Sequence, residues 1–146
     1  MRVTYAVLAM HPLSDDDRSY TRTQLEAHGA TLSYKPLSIN HGSVNRAEYQ
    51  CDPYSRVLDY PDYRCLAFKY SPTLDALVGK VELVKDSLID MQVQQGEIRF
   101  VSCENFRHGD SLEFRALTLL RKNRTPRDRA AVIIPESRRE VLQSCI

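Results

Sequence analysis

Two strand-forming runs joined by a compact turn place the strongest constraint on how this chain folds. The runs cover residues 98–106 and 112–120, and both are rich in apolar, β-branched and aromatic side chains. Between them residues 108–111 read HGDS, a set of residue types that favours a tight turn. Strands separated by so short a turn pair with each other. The sequence therefore predicts an antiparallel β-hairpin over residues 98–120.

Other segments also have the composition of strands. Further strands are predicted at residues 2–10, 35–39, 56–60, 63–70 and 130–134. The runs 56–60 and 63–70 flank Pro61 and Asp62, which together favour a turn. This arrangement predicts a second hairpin, over residues 56–70.

A long amphipathic helix is predicted between the two hairpins. Ser71 and Pro72 have the residue types of an N-cap and a first helical position. The apolar residues that follow are spaced by three and four, as on one face of a helix: Leu74, Leu77, Val78, Val81, Val84, Leu88 and Met91. We expect the helix to end near Gln95, although Gly79 inside it costs about 1 kcal/mol relative to alanine. The alternative is that residues 78–93 form two strands.

Short helices are predicted near both ends of the chain. Thr21 and Gln24 have capping-box spacing, which predicts a helix that runs to His28. Gly29 would then supply a left-handed C-cap. A terminal helix is expected to begin at Pro135.

Composition and element order together predict one α+β domain spanning residues 1–146. Its core is expected to be an antiparallel, β-barrel-like set of hairpins with the long helix between them. Hydrophobic residues make up 42% and charged residues 27%, which is typical of a globular domain rather than a disordered chain. The formal net charge of +1 argues against a strongly charged nucleic-acid binder. No apolar run approaches the ~20 residues that span a bilayer, and no secretory cleavage site is evident, so neither membrane insertion nor secretion is expected.

The cysteines and histidines are scattered along the chain. The cysteines form no CxxC pair: Cys51, Cys65, Cys103 and Cys145. The histidines form no HxxxH or HExxH pattern: His11, His28, His41 and His108. We therefore expect reduced thiols and neither a metal nor a cofactor. The run of acids at residues 15–17 is expected to be exposed charge.

Two positions combine a reactive side chain with a strand context. His41 ends an extended segment and precedes Gly42, which permits a tight turn. Ser102 lies inside a hydrophobic strand. A serine hydroxyl becomes a nucleophile only when a base lies within hydrogen-bond reach, and histidine is the commonest such base. Because adjacent side chains of a strand point to opposite faces, only one of Ser102 and Cys103 can face a site, and Cys103 is expected to pack inside.

Four segments, taken in chain order, carry a resemblance to a protein family: KPLSINHG, SRVLDYPDYRCLAFKYSP, QQGEIRFVSCE and LEFRALTLLRKNRTP. The first strand with residues 14–29, which precede these segments, resembles the opening of the same family. They resemble segments of the head-maturation (prohead) proteases of tailed bacteriophages, which share a fold with the herpesvirus assemblins. In that family the first segment carries the catalytic histidine and the third carries the nucleophile. The resemblance covers most of residues 1–126, and it departs from the family at Ser55, where a glycine is usual.

The resemblance implies that His41 is the general base and that Ser102 is the nucleophile. Family members complete the site with a third polar residue, often an acid, on the strand after the nucleophile. The alignment places Ala116 at that position, and the only acid on the strand is Glu113, which becomes the predicted third residue. The alternatives are a dyad, an acid from elsewhere such as Asp128, or an inactive site.

These assignments predict a serine endopeptidase that cleaves viral scaffold and major capsid proteins during phage head maturation. It would act in the host cytoplasm, inside the assembling procapsid or virion, as a possible homo-oligomer, with no membrane or nucleic-acid partner. The first alternative is a catalytically inactive structural protein of the virion that kept the fold and binds capsid partners. The second is a nucleic-acid-binding module that uses the basic residues between positions 121 and 129.

Overall fold

The computed structural model describes residues 1–12, 20–44, 52–109, 111–124, 126, 128 and 130–135. Strands dominate this part of the chain, and the helices in it are short. The strands are β1 (Arg2–Met10), β2 (Leu37–Ile39), β3 (Arg56–Val57), β4 (Arg64–Ser71), β5 (Ala76–Val84), β6 (Ile98–His108), β7 (Ser111–Arg121) and β8 (Val132–Ile133). The helices are α1 (Arg22–His28) and α2 (Leu88–Gln94), and a 3₁₀ turn (Gly29–Leu32) follows α1.

All the described strands belong to a single curled sheet that forms a half-barrel. Its order is β3-β2-β7-β6-β8-β1-β5-β4, and the sheet is mixed because β2 runs parallel to β7. The predicted α+β architecture, an antiparallel, β-barrel-like core of hairpins with a long helix between them, is therefore wrong. The β4 edge bends back toward the segment that precedes β2, where the Cys65 amide donates to the Lys35 carbonyl at 2.8 Å. The concave side of the sheet holds the hydrophobic core.

The predicted hairpin over residues 98–120 is confirmed. β6 and β7 are 11 residues long each and pair antiparallel, with Ser102 opposite Thr118. Near the end of the hairpin, Phe114 of β7 is fully buried and packs against the ring of Tyr20 at 5.8 Å between centroids. This hairpin provides the wall on which the candidate site is built.

The predicted long helix is wrong. Its first half is the strand β5, and its second half is the separate short helix α2. β5 lies between β1 and β4, and consecutive residues at its start are buried on both faces of the sheet. Because these residues are apolar without strict alternation, their spacing also fits one face of a helix. The alternative of two strands over residues 78–93 is wrong as well, because residues 88–94 are helical.

Local chemistry explains why this segment is a strand followed by a helix. A Cβ on Gly79 would lie 2.5 Å from the Phe68 ring, so the glycine allows β4 and β5 to pack closely. β5 ends before a turn in which Asp86 has a φ of 63°. The Ser87 side chain then accepts from the Asp90 amide at 3.2 Å and starts α2 as its N-cap.

The predicted hairpin over residues 56–70 is also wrong. β3 pairs with β2, β4 pairs with β5, and the two strands end up at opposite ends of the sheet order. The turn that closes a hairpin here is instead the one after Ser71, where Asp75 has a φ of 49°. Ser71 therefore ends β4, and Pro72 begins a turn between strands rather than a helix.

Predictions for the remaining elements have mixed outcomes. The helix at residues 22–28 and its capping box are confirmed, since the Thr21 side chain accepts from the Gln24 amide at 3.1 Å. Gly29 is not left-handed, because its φ is −58° and the chain continues into the 3₁₀ turn. The strands predicted at residues 2–10, 35–39 and 130–134 are confirmed as β1, β2 and β8.

The predicted terminal helix and the acids at residues 15–17 lie outside the described residues. Within the described residues, no helix is both long enough and apolar enough to span a membrane.

Candidate functional site

Three hydroxyl side chains form a row across the middle of the sheet. Ser38 of β2 lies opposite Thr118 of β7, which lies opposite Ser102 of β6, so the three side chains share one face. The residues that flank Ser102 and Thr118 on their strands all belong to the hydrophobic core: Val101, Cys103, Leu117 and Leu119. Neighbouring side chains of a strand point to opposite faces, so the three hydroxyls lie on the side of the sheet away from that core. We call this side the hydroxyl face.

A tight turn carries His41 onto this face. The Gly42 amide donates to the Ile39 carbonyl at 3.0 Å, and the two central residues, Asn40 and His41, have positive φ values of 49° and 60°. Two positive φ values are what a type I′ turn requires, and asparagine tolerates them better than most residues. Gly42 is needed for space, because a Cβ there would lie 2.2 Å from the Arg56 nitrogen.

His41 is tied to the hydroxyl face by its main chain and faces an acid with its side chain. Its amide donates to the Thr118 hydroxyl at 2.8 Å. Its imidazole Nδ1 lies 3.8 Å from Oε1 of Glu104. Since Thr118 is the direct cross-strand neighbour of Ser102, the structure brings the predicted base and the predicted nucleophile to the same small patch.

Glu104 completes this patch. It follows Ser102 by two residues on β6, so both side chains lie on one face. Its Oε2 accepts a hydrogen bond from the Ser43 hydroxyl, which lies in the turn after His41. Its Oε1 is buried and accepts no hydrogen bond from the described residues, which leaves that oxygen aimed at the imidazole. The side chains of His41 and Glu104 are 23% and 15% exposed, so a substrate can reach them.

Cys103 does not compete with Ser102 as a nucleophile. Its side chain packs in the core, as expected from strand alternation, whereas Ser102 is half-buried on the opposite face. Burial, followed by the charges of Asp128 and Glu104, raises the pKa of the Cys103 thiol. The thiol therefore stays protonated and faces away from this patch. Cys103 and Cys65 are both free thiols.

The structure does not bring Glu113 to the patch. Glu113 is 59% exposed and lies 3.6 Å from the Lys35 ammonium group. It pairs with Phe106 across the hairpin, five residues along β7 from Thr118. At ~3.3 Å per residue, that separation is about 16 Å of strand. A catalytic role for Glu113 beside His41 has no support from this placement.

The other acid considered from the sequence is also elsewhere. Asp128 accepts from the main-chain amide of His11 at 2.7 Å and contacts its Nδ1 at 2.9 Å. Asp128 therefore pairs with a different histidine. Ala116 lies directly opposite Glu104, so the alanine at the family's third position has a carboxylate as its cross-strand neighbour.

Sequence reasoning missed Glu104. The signal was available, because a serine and an acid separated by one residue on a strand must share a face. The resemblance to prohead proteases instead implies a third residue on the strand after the nucleophile, which is β7 and not β6. Ser43 and Thr118 were missed for a different reason: their contacts depend on how the turn at His41 folds back over β7.

Within the basic segment, the three cations that the structure describes, Arg121, Lys122 and Arg124, contact acids of the same chain, whereas Arg127 and Arg129 lie outside the described residues. Glu97 pairs with Arg121 at 3.7 Å and with Lys122 at 2.9 Å. Arg121 also lies over the ring of Tyr54, 4.0 Å from its centroid. Arg124 forms an ion pair with the nearly buried carboxylate of Asp52. These cations therefore neutralise acids of the same chain.

A cleft of about 430 Å³ lies at a different end of the molecule. Residues of β1 and α2 line it, among them Arg2, Asp90 and Met91, and it includes neither His41 nor Ser102. Within the described residues there is no cluster of three or more histidine, cysteine or acidic side chains that could hold a metal ion.

Comparison with known proteins returned no relatives. No family model, no curated protein and no solved structure matches this chain. Assignment of a function therefore depends on the chemistry of the patch around His41.

Proposed function

We propose that this protein is a serine endopeptidase that uses Ser102 as nucleophile, His41 as general base and Glu104 as the acid behind the imidazole. The observation that carries the proposal is the placement of Glu104. It lies 3.8 Å from His41 Nδ1 and on the same strand and face as Ser102. A carboxylate behind a histidine, with a hydroxyl beside it, is the arrangement by which unrelated hydrolases activate serine.

The proposed mechanism assigns one imidazole nitrogen to each partner. With Nδ1 directed at Glu104, Nε2 remains to accept the proton of Ser102. The Ser102 oxygen then attacks the substrate carbonyl carbon, and the imidazolium returns the proton to the leaving amine. The products of this first step are an amine and an acyl-enzyme ester, and water, deprotonated by His41, hydrolyses the ester. The carboxylate of Glu104 orients the ring and stabilises its positive charge.

The proposed substrates and location come from the resemblance to prohead proteases. We propose that the protein belongs to that family and cleaves scaffold and major capsid proteins inside an assembling phage head. The contacts of Arg121, Lys122 and Arg124 within the protein favour this proposal over a nucleic-acid-binding module.

A second candidate is a catalytically silent structural protein that binds capsid partners. Two observations favour it. Ala116 occupies the position where the family carries its third polar residue. The 3.8 Å contact between His41 and Glu104 is also longer than a hydrogen bond, whose usual range is ~2.7–3.2 Å. The two candidates differ in one measurable property, the reactivity of Ser102.

The deciding experiment measures that reactivity without a known substrate. A fluorophosphonate reagent phosphonylates an activated serine with loss of fluoride, and intact mass followed by peptide mapping locates the adduct. We expect labelling of the wild type at Ser102, none in Ser102→Ala, and strong reduction in His41→Ala and Glu104→Gln. Glu113→Gln, a matched change of an exposed acid on β7, should label at the wild-type rate. Absence of labelling in the folded wild type would reject the peptidase and favour the structural protein.

A further inference from the structure

Asn40 has an unusually complete set of polar contacts for a residue that is 1% exposed. Its amide donates to the Leu119 carbonyl at 2.9 Å, and its carbonyl accepts from the Ser55 hydroxyl at 2.8 Å. Its side-chain Oδ1 accepts from the Arg121 amide at 3.2 Å, and its Nδ2 donates to Asp52 at 3.3 Å. Both main-chain groups and both side-chain groups are thus satisfied, and this leaves the residue a single orientation.

These contacts connect three parts of the chain that are distant in sequence. They hold the turn after β2 against the end of β7 and against the segment that leads to β3. The residue that follows Asn40 is His41, whose own amide is bonded to Thr118. The position of the imidazole therefore depends on the backbone conformation of Asn40.

Asp52 fixes the orientation of the Asn40 amide. Burial opposes ionisation of Asp52, but hydrogen bonds from the Tyr54 amide and from Arg124 outweigh it and hold the pKa of the carboxyl below its usual value. An ionised carboxylate only accepts hydrogen bonds, so Asp52 can bond to the Asn40 side chain only through its Nδ2 donor. The Oδ1 side is then left for the Arg121 amide.

We infer that Asn40 is the positioning residue of the proposed active site, and that its hydrogen bond to Asp52 holds His41 in the geometry that activates Ser102. This inference rests on the proposed function. The turn that contains Asn40 would then position the catalytic base as well as stabilise the fold. A small displacement of the imidazole lowers the reactivity of Ser102 even when the protein stays folded.

The test exchanges the donor and the acceptor of the Asn40–Asp52 hydrogen bond. Asn40→Asp keeps the size of the side chain and an acceptor for Arg121, but it sets two carboxylates against each other. Asp52→Asn removes the charge from the other partner. The double variant restores a donor–acceptor pair with reversed direction. Each protein is treated with the fluorophosphonate reagent, and the rate of labelling at Ser102 is measured beside the urea midpoint of unfolding.

We expect Asn40→Asp to slow labelling on the order of 100-fold, which is the loss that a displacement of ~1 Å can cause. The double variant should recover most of this rate. Asp90→Asn, a change at a buried and hydrogen-bonded acid of α2, is the matched control. It should lower the urea midpoint and leave the labelling rate unchanged.

Three results would overturn the inference. Labelling of Asn40→Asp at the wild-type rate would show that the hydrogen bond does not position His41. A double variant that folds but labels as slowly as Asn40→Asp would show that the pair does not act as a unit. Absence of labelling in the wild type would reject the proposed function and the positioning role together. This result differs from the first two, in which the wild type is labelled.

Discussion

Buried polar groups are satisfied differently in two regions of this molecule. On α2, the Asp90 carboxylate accepts from the Tyr5 hydroxyl with one oxygen and from the Asp86 amide with the other. Gln94 donates to the same Tyr5 hydroxyl. We call these four residues the α2 network. On the hydroxyl face, by contrast, Ser38 Oγ and Glu104 Oε1 are buried and have no hydrogen-bond partner among the described residues.

We interpret the α2 network as a polar cluster that stabilises the fold, and the hydroxyl face as the proposed site of catalysis. A buried carboxylate with both oxygens bonded contributes to stability, whereas a buried oxygen left without a partner costs free energy. The fold tolerates that cost at Glu104, where the free oxygen faces His41. Positive φ does not distinguish the two regions, because Asp86 of the α2 network has a positive φ as well as Asn40 and His41.

The largest effect is expected from removal of the base. His41→Ala should reduce the rate of fluorophosphonate labelling of Ser102 by between ~100-fold and ~10,000-fold, the usual contribution of a general base. The urea midpoint should change little, because the His41 side chain is partly exposed. If labelling persisted near the wild-type rate, the hydroxyl face would be another structural cluster and the comparison would fail.

The next largest effect is expected in the α2 network. Tyr5→Phe leaves one oxygen of the buried Asp90 without its hydroxyl donor and should lower the free energy of unfolding by about 1–3 kcal/mol. Equilibrium urea denaturation measures this loss. Labelling of Ser102 should stay at the wild-type rate under native conditions, and a parallel loss of labelling would show that the two regions are coupled.

A smaller effect is expected from pH, through Asp52. Its folded-state pKa is depressed, so its ionisation stabilises the protein above the unfolded-state value of ~4, and this contribution is lost as pH falls through the folded-state pKa. The unfolding free energy of Asp52→Asn should therefore fall less steeply than that of the wild type below about pH 4. Urea denaturation at a series of pH values gives the unfolding free energy of each protein. An equally steep fall of the two free energies below about pH 4 would contradict this expectation.

The smallest effect is expected at Ser38. Because its buried hydroxyl has no partner among the described residues, Ser38→Ala removes an unsatisfied group without breaking a hydrogen bond. The free energy of unfolding should change by less than about 0.5 kcal/mol or rise slightly. A loss above ~1 kcal/mol in urea denaturation would mean that this hydroxyl is satisfied in solution, and it would narrow the contrast between the two regions.

Several elements followed directly from local sequence signals. The β6–β7 hairpin, β1 and the capping box of α1 formed as expected, because each depends on residues close together in the chain. The same holds for the opposite orientations of Ser102 and Cys103, which strand alternation requires. The prediction that His41 and Ser102 serve as base and nucleophile remains a prediction, and the structure adds that they lie in one patch.

Other elements depended on pairing partners that local patterns do not reveal. The spacing of apolar residues in β5 fits a helix, and only its position between β1 and β4 makes it a strand. β3 and β4 separated because neither pairs with the other: β3 pairs with the earlier strand β2, and β4 pairs with β5 through the turn after Ser71. Glu104 became the acid behind His41 only because the turn after β2 folds over β7.

The sequence by itself therefore determined the β6–β7 hairpin, the capped helix α1, and the opposite orientations of Ser102 and Cys103. Tertiary structure decided the sheet order, the division of residues 76–94 into β5 and α2, and the replacement of Glu113 by Glu104 beside His41. The physical reason is the range of the interactions. Caps and strand alternation act within a few residues, whereas strand partners and a shared site are set by burial and hydrogen bonds between segments tens of residues apart.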